Sequence, residues 1–372
     1  MTDTPPTGDL LYSEIEGDLR ATVRALLEKR SSWNAVLTRT ESDQPTDLGL
    51  YATLARDLGC AALAVPEDRG GAGASWREAA VVAEELGRAV APVPFLGAAV
   101  ATALLLELGE RELLEELAGG EALAGLALPF SASPATWTST LDCSGDVLNG
   151  VVAGVVDARA ADVVLVPAGE ALYAVRARAA GFRRLPVVSL DMTRPLVDLS
   201  FEETPCQLVA RGPEVAAAVD AALRIGAVLL ASEQVGVAER GLELTVDYLG
   251  IRRQFGRILG SFQALKHRLA DLWVLLTQAR AVARYAAECA ATGAADLPVA
   301  AALAQAHCSV VVQQAVEECL QLHGGIGFTW EHPAHLYLKR SKADQLAFGT
   351  AGAHRQRLGD LVDLRGADAR TC

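Results

Sequence analysis

Along the first 120 residues the apolar positions recur at helical spacing. Leu19, Val23, Leu26 and Leu27 fall on one stripe, and so do Leu50, Leu54 and Leu58. The stretch PEDRGGAGAS (66–75) reads as a loop whose last residue, Ser75, caps a helix WREAAVVAEELGRA. From about residue 121 the texture changes. LNGVVAGVV, DVVLVPA, LYAVRA, PLVDLSF and CQLVA are short β-branched runs split by Gly, Pro and Asp, and they predict strands of an all-β domain. No long segment of helical period lies between them, which argues against a parallel βαβ sheet. From about residue 213 the helical period returns with few breakers. Ile225, Val228, Leu229, Ser232, Val235 and Gly236 share a face in one long helix, and Phe262, Leu265, Leu269, Leu272, Trp273 and Leu276 share one in the next. Pro298 and the HGGIG turn (323–327) punctuate the remainder. The pattern predicts a mostly α chain with a central β domain: a helical domain over 1–120, a β domain over 121–212, and an up-down four-helix bundle over 213–372.

Composition narrows the function. The chain has 372 residues, is 51% hydrophobic and 5% aromatic, and carries a formal charge of −13. An acidic chain without clustered Lys and Arg is a poor partner for nucleic acid. Its seven cysteines are scattered without a CxxC pair, as expected of a reduced, cytoplasmic protein. The opening MTDTPPTGDLLYSE lacks the basic and apolar regions of a signal peptide. The uncharged run from Ala89 to Leu106 is interrupted by Pro92 and Pro94 and reads as a buried helix, not a membrane span.

Two stretches of the C-terminal part could hold a ligand. In YLGIRRQFG (248–256) a helix is expected to end near Gly256, with Arg252 and Arg253 in its last turns and Phe255 beside them. An Arg there can make charge-assisted bonds to a pyrophosphate while Phe255 flanks a ring. It can equally be a basic helix end that complements the macrodipole. In QLHGGIGFTWEHP (321–333), Gly324, Gly325 and Gly327 permit close backbone approach, or simply terminate a helix. A helix precedes this turn, so it is no dinucleotide fingerprint. His332 and His335 have no third metal ligand at suitable spacing and are expected on the surface. His267 and His307 fall within helices.

The order of these motifs carries more than each alone. R-x-Q-F-G, then F-Q-x-x-x-x-x-L-A-D, then Q-x-x-G-G-x-G and a final G-T resemble the acyl-CoA dehydrogenase family over essentially the whole chain. VPEDRGGAG (65–73) and LNGVVAGVVDARAADVVLV (148–166) look like its first-domain loop and its β domain. The resemblance implies FAD as cofactor and α,β-dehydrogenation of an acyl-CoA thioester. It places Arg252, Gln254, Phe255, Gln263, Gln321, Gly324 and Gly325 against the FAD of a neighbouring subunit, and adds Thr350 from the last motif. An electron-transfer flavoprotein is the implied acceptor.

The sequence also departs from the family. Most members carry the proton-abstracting Glu immediately before the final Gly-Thr, and here that position is Phe348. A second family location for the base corresponds to Arg224-Ile225-Gly226-Ala227, again without a carboxylate. Asp344 lies one turn before Phe348 and is expected in solvent; Glu233 and Glu239 belong to no motif. The flavin-facing Thr-Glu-Pro-Gly pattern is replaced by LALPFSASPATW (126–137), and VVAGVV stands where Trp-Ile-Thr is usual. Both losses fall on one half of a composite site. GGIGFTWEHPAHLYLKR (324–340) resembles the base-less subunits of heterotetrameric (α2β2) acyl-CoA dehydrogenases of bacterial steroid side-chain degradation, whose partner subunit supplies the Glu. The alternatives are a self-sufficient homotetramer with another base, a non-catalytic scaffold on the same fold, and a flavin oxygenase relative.

Overall fold

The computed structural model describes residues 10–364. The first nine residues of the chain, which open the stretch read for a signal peptide, and Cys372 lie outside the described residues. Three long helices organise the C-terminal part: α7 (Glu214–Ile251), α8 (Gln263–Thr292) and α9 (Leu297–His323). The N-terminal part holds α1 (Glu14–Arg30), α2 (Trp33–Thr40), α3 (Leu48–Ala52), α4 (Trp76–Arg88), α5 (Phe95–Leu108) and α6 (Glu112–Ala118). Ser75 caps α4 as expected: its hydroxyl accepts from Arg77 N, and Glu78 reaches back to Ser75 N.

Between these helical parts lie two four-stranded sheets. One has the order β1 (Ala124–Leu126), β4 (Val163–Ala168), β5 (Ala171–Arg176), β8 (Gln207–Arg211). The other runs β2 (Asp142–Ser144), β3 (Val147–Val156), β7 (Leu196–Pro205), β6 (Phe182–Pro186). Every pairing is antiparallel except β1 with β4. The five expected runs fall in β3, β4, β5, β7 and β8; β1, β2 and β6 are additional strands. Inward-facing side chains such as Leu148, Val152, Val164, Val166, Leu199 and Phe201 make a core of their own.

The helical parts share a second, larger core. Its centre is the crossing of α4 and α7, where both backbones are bare. A Cβ on Gly236 would lie 1.8 Å from Glu84 O, and one on Gly87 would lie 2.1 Å from Glu233 O. Glycines here let the two helices touch backbone to backbone. All six residues assigned to the buried face of α7 are buried. On α8 the assignment holds for Leu272 and Leu276 but not for Trp273, which is 61% exposed because the first half of α8 projects beyond the core. The fourth place in the bundle is divided between α10 (Ala334–Asp344) and α11 (Ala351–Leu361), with the Phe348 turn between them. Helix α7 and the stretch Leu297–Phe328 are long and apolar enough to cross a membrane, but 72% of each apolar window is buried inside this fold.

Helix α1 is fastened by charge. Glu16 accepts from Arg77 Nη2 at 2.9 Å and Arg284 Nη2 at 2.6 Å, and caps Ser13 N. Arg20 and Arg24 reach Glu85 at 2.8 and 2.6 Å. Burial alone pushes the Glu16 carboxyl up, but the bonds from Arg77, Ser13 N and Arg284 outweigh it and hold the group down at about 2, against an ordinary 4.5. A depressed carboxylate stabilises fully above its unfolded value, and the contribution is lost as pH falls through the folded one. Glu16→Gln is therefore expected to cost about 3 kcal/mol at neutral pH. The gap from wild type should shrink between about pH 4.5 and 2. Thermal unfolding of both proteins across that range checks it; a gap that does not vary with pH would refute the ion-pair account.

Candidate functional site

The cofactor-facing residues read from the sequence fall into two places. Helix α7 stops at Ile251, earlier than Gly256, because the chain turns into a small hairpin of β9 (Arg253–Gln254) and β10 (Arg257–Ile258). Phe255 and Gly256 form its tip at φ 51° and 74°. Arg252 is thus the extended residue after the helix, not part of its last turn, and Arg253 lies in β9. Phe255 is 87% exposed and meets Phe262 edge-on at 6.2 Å. The Tyr248 ring stacks on His323 at 4.6 Å, which joins the end of α7 to the end of α9. An Arg268–Glu318 ion pair joins the start of α8 to the same end. Arg252, Gln254, Phe255, Gln263, Gln321, Gly324 and Gly325 therefore gather at one end of the bundle.

Thr350 stands apart. It caps α11, accepting from Ala353 N at 3.2 Å, next to a turn whose Ala347 carbonyl accepts from Gln305 Nε2 at 3.2 Å. Gln305 precedes Gln321 by sixteen residues of α9, roughly 24 Å at 1.5 Å per residue. One chain brings seven of the eight residues together and leaves the eighth at another site.

The seven suit an anionic, ring-bearing ligand. All are exposed, and among the described residues the Arg252 guanidinium and the side-chain amides of Gln254, Gln263 and Gln321 have no protein partner. Gly324 lies at φ 61°, and a Cβ at Gly324 or Gly325 would meet nothing within 4 Å, so the backbone there is open to an approaching group. A pyrophosphate could take the Arg252 donors and an adenine could lie by Phe255.

The second place, around Phe348, is closed. Phe348 is 3% exposed, at φ 51°, in the turn between α10 and α11. Its ring meets Phe130 edge-on at 5.5 Å, and its amide donates to Phe130 O at 2.9 Å. His354 Nε2 bonds its carbonyl at 2.9 Å. A Cβ on Gly226 would lie 2.7 Å from Phe348 Cζ and 2.9 Å from Val100 Cγ2. The Phe348 position and the segment 224–227, the two places matching the family's base, thus face each other, and the missing side chain at Gly226 is what admits the phenyl ring of Phe348. Phe130 packs on Phe348 and His354 bonds the Phe348 carbonyl, so the place of the carboxylate is filled by an apolar ring.

Behind the ring lies a buried ion cluster, which corrects the sequence reading. Asp344 is not in solvent; it is 0% exposed and pairs with Arg194 Nη1 at 2.7 Å. Arg194 Nη2 also reaches Glu233 Oε1 at 2.6 Å, and Arg340 bridges Glu233 at 2.5 Å and Asp191 at 2.6 Å. Thr193 Oγ1 accepts from Arg340 Nη2 at 2.5 Å, and the Arg194 guanidinium lies over the Phe130 ring at 5.5 Å. Three carboxyls face two guanidiniums. Burial and then Glu233 push the Asp344 carboxyl well above the usual range, and its Oδ2 has no partner among the described residues. Bound to Arg194 in this joint, Asp344 is no substitute for the base. Arg194 belongs to no motif and Arg340 only ends the stretch 324–340; the local signal is the Asp191-x-Thr193 turn, in which Thr193 N donates to Asp191 Oδ1 at 2.9 Å.

The histidines differ from expectation as well. His332 and His335 are half-buried, not superficial: His332 packs on His323 at 4.3 Å and His335 on Trp330 at 4.5 Å. Burial pushes both down to about 4, so they are neutral at physiological pH. No group of three or more potential metal ligands occurs among the described residues.

Comparison with known proteins gives concordant results. The family models described as acyl-CoA dehydrogenase, N-terminal domain, and acyl-CoA dehydrogenase, C-terminal domain, match residues 13–121 and 216–362, on either side of the sheets. The chain is 40% identical over 325 residues to acyl-CoA dehydrogenase IpdE2 of Mycobacterium tuberculosis, covering 87% of this chain and 89% of that one. It is 38% identical to the IpdE2 of Mycolicibacterium smegmatis, covering 91% and 96%. Among solved structures, a variant of the Tcur3481-Tcur3483 steroid ACAD superposes with a TM-score of 0.83 at 30% identity, over 94% of this chain and 98% of that one. Butyryl-CoA dehydrogenase from Megasphaera elsdenii superposes with a TM-score of 0.85 at 23% identity, over 96% and 100%, and so shares the fold.

The contact between Gly226 and Phe348 predicts a thermodynamic coupling. Phe348→Ala should cost about 3–5 kcal/mol by opening a cavity. Gly226→Ala should cost about 1–3 kcal/mol by overpacking. Together they should cost less than the sum, because the new methyl enters the vacated space. Denaturant unfolding of the four proteins measures the coupling; strict additivity would show that the two positions do not touch.

Proposed function

The chain belongs to the acyl-CoA dehydrogenase family, and from that premise we propose that it is the base-less subunit of a heteromeric, FAD-dependent enzyme that dehydrogenates an acyl-CoA, with 1–120, 121–212 and 213–372 as its domains. One observation carries the reading. Phe348 occupies the base position as a buried ring packed on Phe130 and over Gly226, and a phenyl group accepts no proton. The carboxylate must come from a homologous partner chain.

The exposed bundle end supports the roles that the resemblance implies for this chain's residues. Arg252 would hold the pyrophosphate of an FAD carried mainly by the partner, Gln254, Gln263 and Gln321 would offer it amide donors, Phe255 would offer a ring face, and Gly324 and Gly325 would let the backbone approach. Thr350, on the closed side, takes no part in that contact. A bound FAD would supply the two-electron acceptor for the hydride of the acyl group's β carbon. The substrate class is a steroid side-chain CoA, by analogy with the 30%-identical steroid ACAD, whose name joins two components. An electron-transfer flavoprotein is the proposed acceptor and the cytoplasm the proposed compartment.

The chain purified alone should be nearly colourless and should oxidise acyl-CoA at least about 10²–10⁴-fold more slowly than the complex with its Glu-bearing partner. Flavin absorbance and dye-coupled turnover test this, and a yellow, active lone chain would overturn it. In the complex, Arg252→Ala should release FAD more readily than Arg253→Ala does. FAD retained on a desalting column is the readout; equal losses would leave Arg252 as a helix-end charge only.

A further inference from the structure

A pair of thiols in the β domain stands outside everything assigned above. Cys143, in the middle of β2, and Cys206, the single residue between β7 and β8, bring their Sγ atoms to 3.8 Å across a sequence separation of 63. Among the described residues this is the only contact between two cysteine sulfurs; Cys60, Cys289, Cys308 and Cys319 are each buried by themselves. The approach is built by sheet register. Cys143 pairs with Leu148 on β3, Leu148 pairs with Thr204 on β7, and Cys206 N donates to Asp146 O at 2.9 Å in the β2–β3 turn. Both side chains are half-buried, so small oxidants reach them while bulky ones do not. No third metal ligand joins the two sulfurs among the described residues.

We propose that Cys143 and Cys206 are a modification site, at which a peroxide forms a reversible disulfide that staples the β2–β3 turn to the β7–β8 junction. Cys143, as thiolate, attacks one peroxide oxygen and displaces hydroxide, becoming a sulfenic acid. The Cys206 sulfur, as thiolate, then attacks Cys143 Sγ, and a second hydroxide leaves. The two thiol protons complete two waters, the sulfurs lose two electrons, and the O–O bond takes them up. The order follows from the surroundings. Burial, and after it the neighbouring Cys143, pushes the Cys206 thiol up to about 12, so it suits the resolving role better than first attack. The staple spans the point where the chain passes from one sheet to the other and on into α7, so oxidation restrains the unfolded chain by closing a long loop.

Hydrogen peroxide treatment of the full-length protein tests this. Digestion without reductant should yield Cys143- and Cys206-containing peptides linked and two hydrogens lighter than their sum. The unfolding midpoint should rise by several degrees and fall back on adding a thiol reductant. Cys206→Ser should stop at a sulfenic acid on Cys143 that a dione reagent traps. Mapping of the wild type decides by itself if that variant does not fold. Sulfinic acid on Cys143 without a link, links only among other cysteines, or a link that leaves the midpoint unchanged would overturn the proposal.

Discussion

The structure depends on one buried set of charges. Asp191, Thr193 and Arg194 come from the loop between β6 and β7, Glu233 from the middle of α7, and Arg340 and Asp344 from α10. Such a cluster adds little net stability over an apolar joint, because taking the charges out of water costs about what their attraction returns. What it does is forbid alternatives. Any slip of the sheets against the bundle would leave a guanidinium or carboxylate buried without a partner. The excess carboxyl is accommodated by the raised Asp344, so the joint need not hold a net negative charge.

That joint sets what the chain can do. Arg194 lies over Phe130, Phe130 meets Phe348, and Phe348 fills the room over Gly226. The position at which a self-sufficient dehydrogenase would hold its base is here a packed interior. The bundle end around Arg252 and Gly324 is the opposite: donors without protein partners among the described residues, an exposed aromatic ring and open backbone. One chain thus carries a closed place and an open one.

The layout and the losses were legible along the chain. Periodicity separated helices from strands and placed α7, α8 and α9, since burying an amphipathic or apolar face depends on spacing within one segment. The motif order pointed to seven residues that the fold gathers at one exposed end of the bundle, and Phe348 marked the absent base by residue type alone. What replaced the base came from folding in three dimensions. That Gly226 makes room for Phe348, that Asp344 is buried on Arg194, that Thr350 is separated from the other seven residues, and that Cys143 meets Cys206 are relations between positions tens to more than a hundred residues apart. A lone Asp or Arg in a polar stretch such as LKRSKAD looks solvated, because nothing local distinguishes a charge bound for water from one whose partner arrives from another domain. Local pattern reports which face an element hides; what it is hidden against follows from packing, and packing is decided by the whole chain at once.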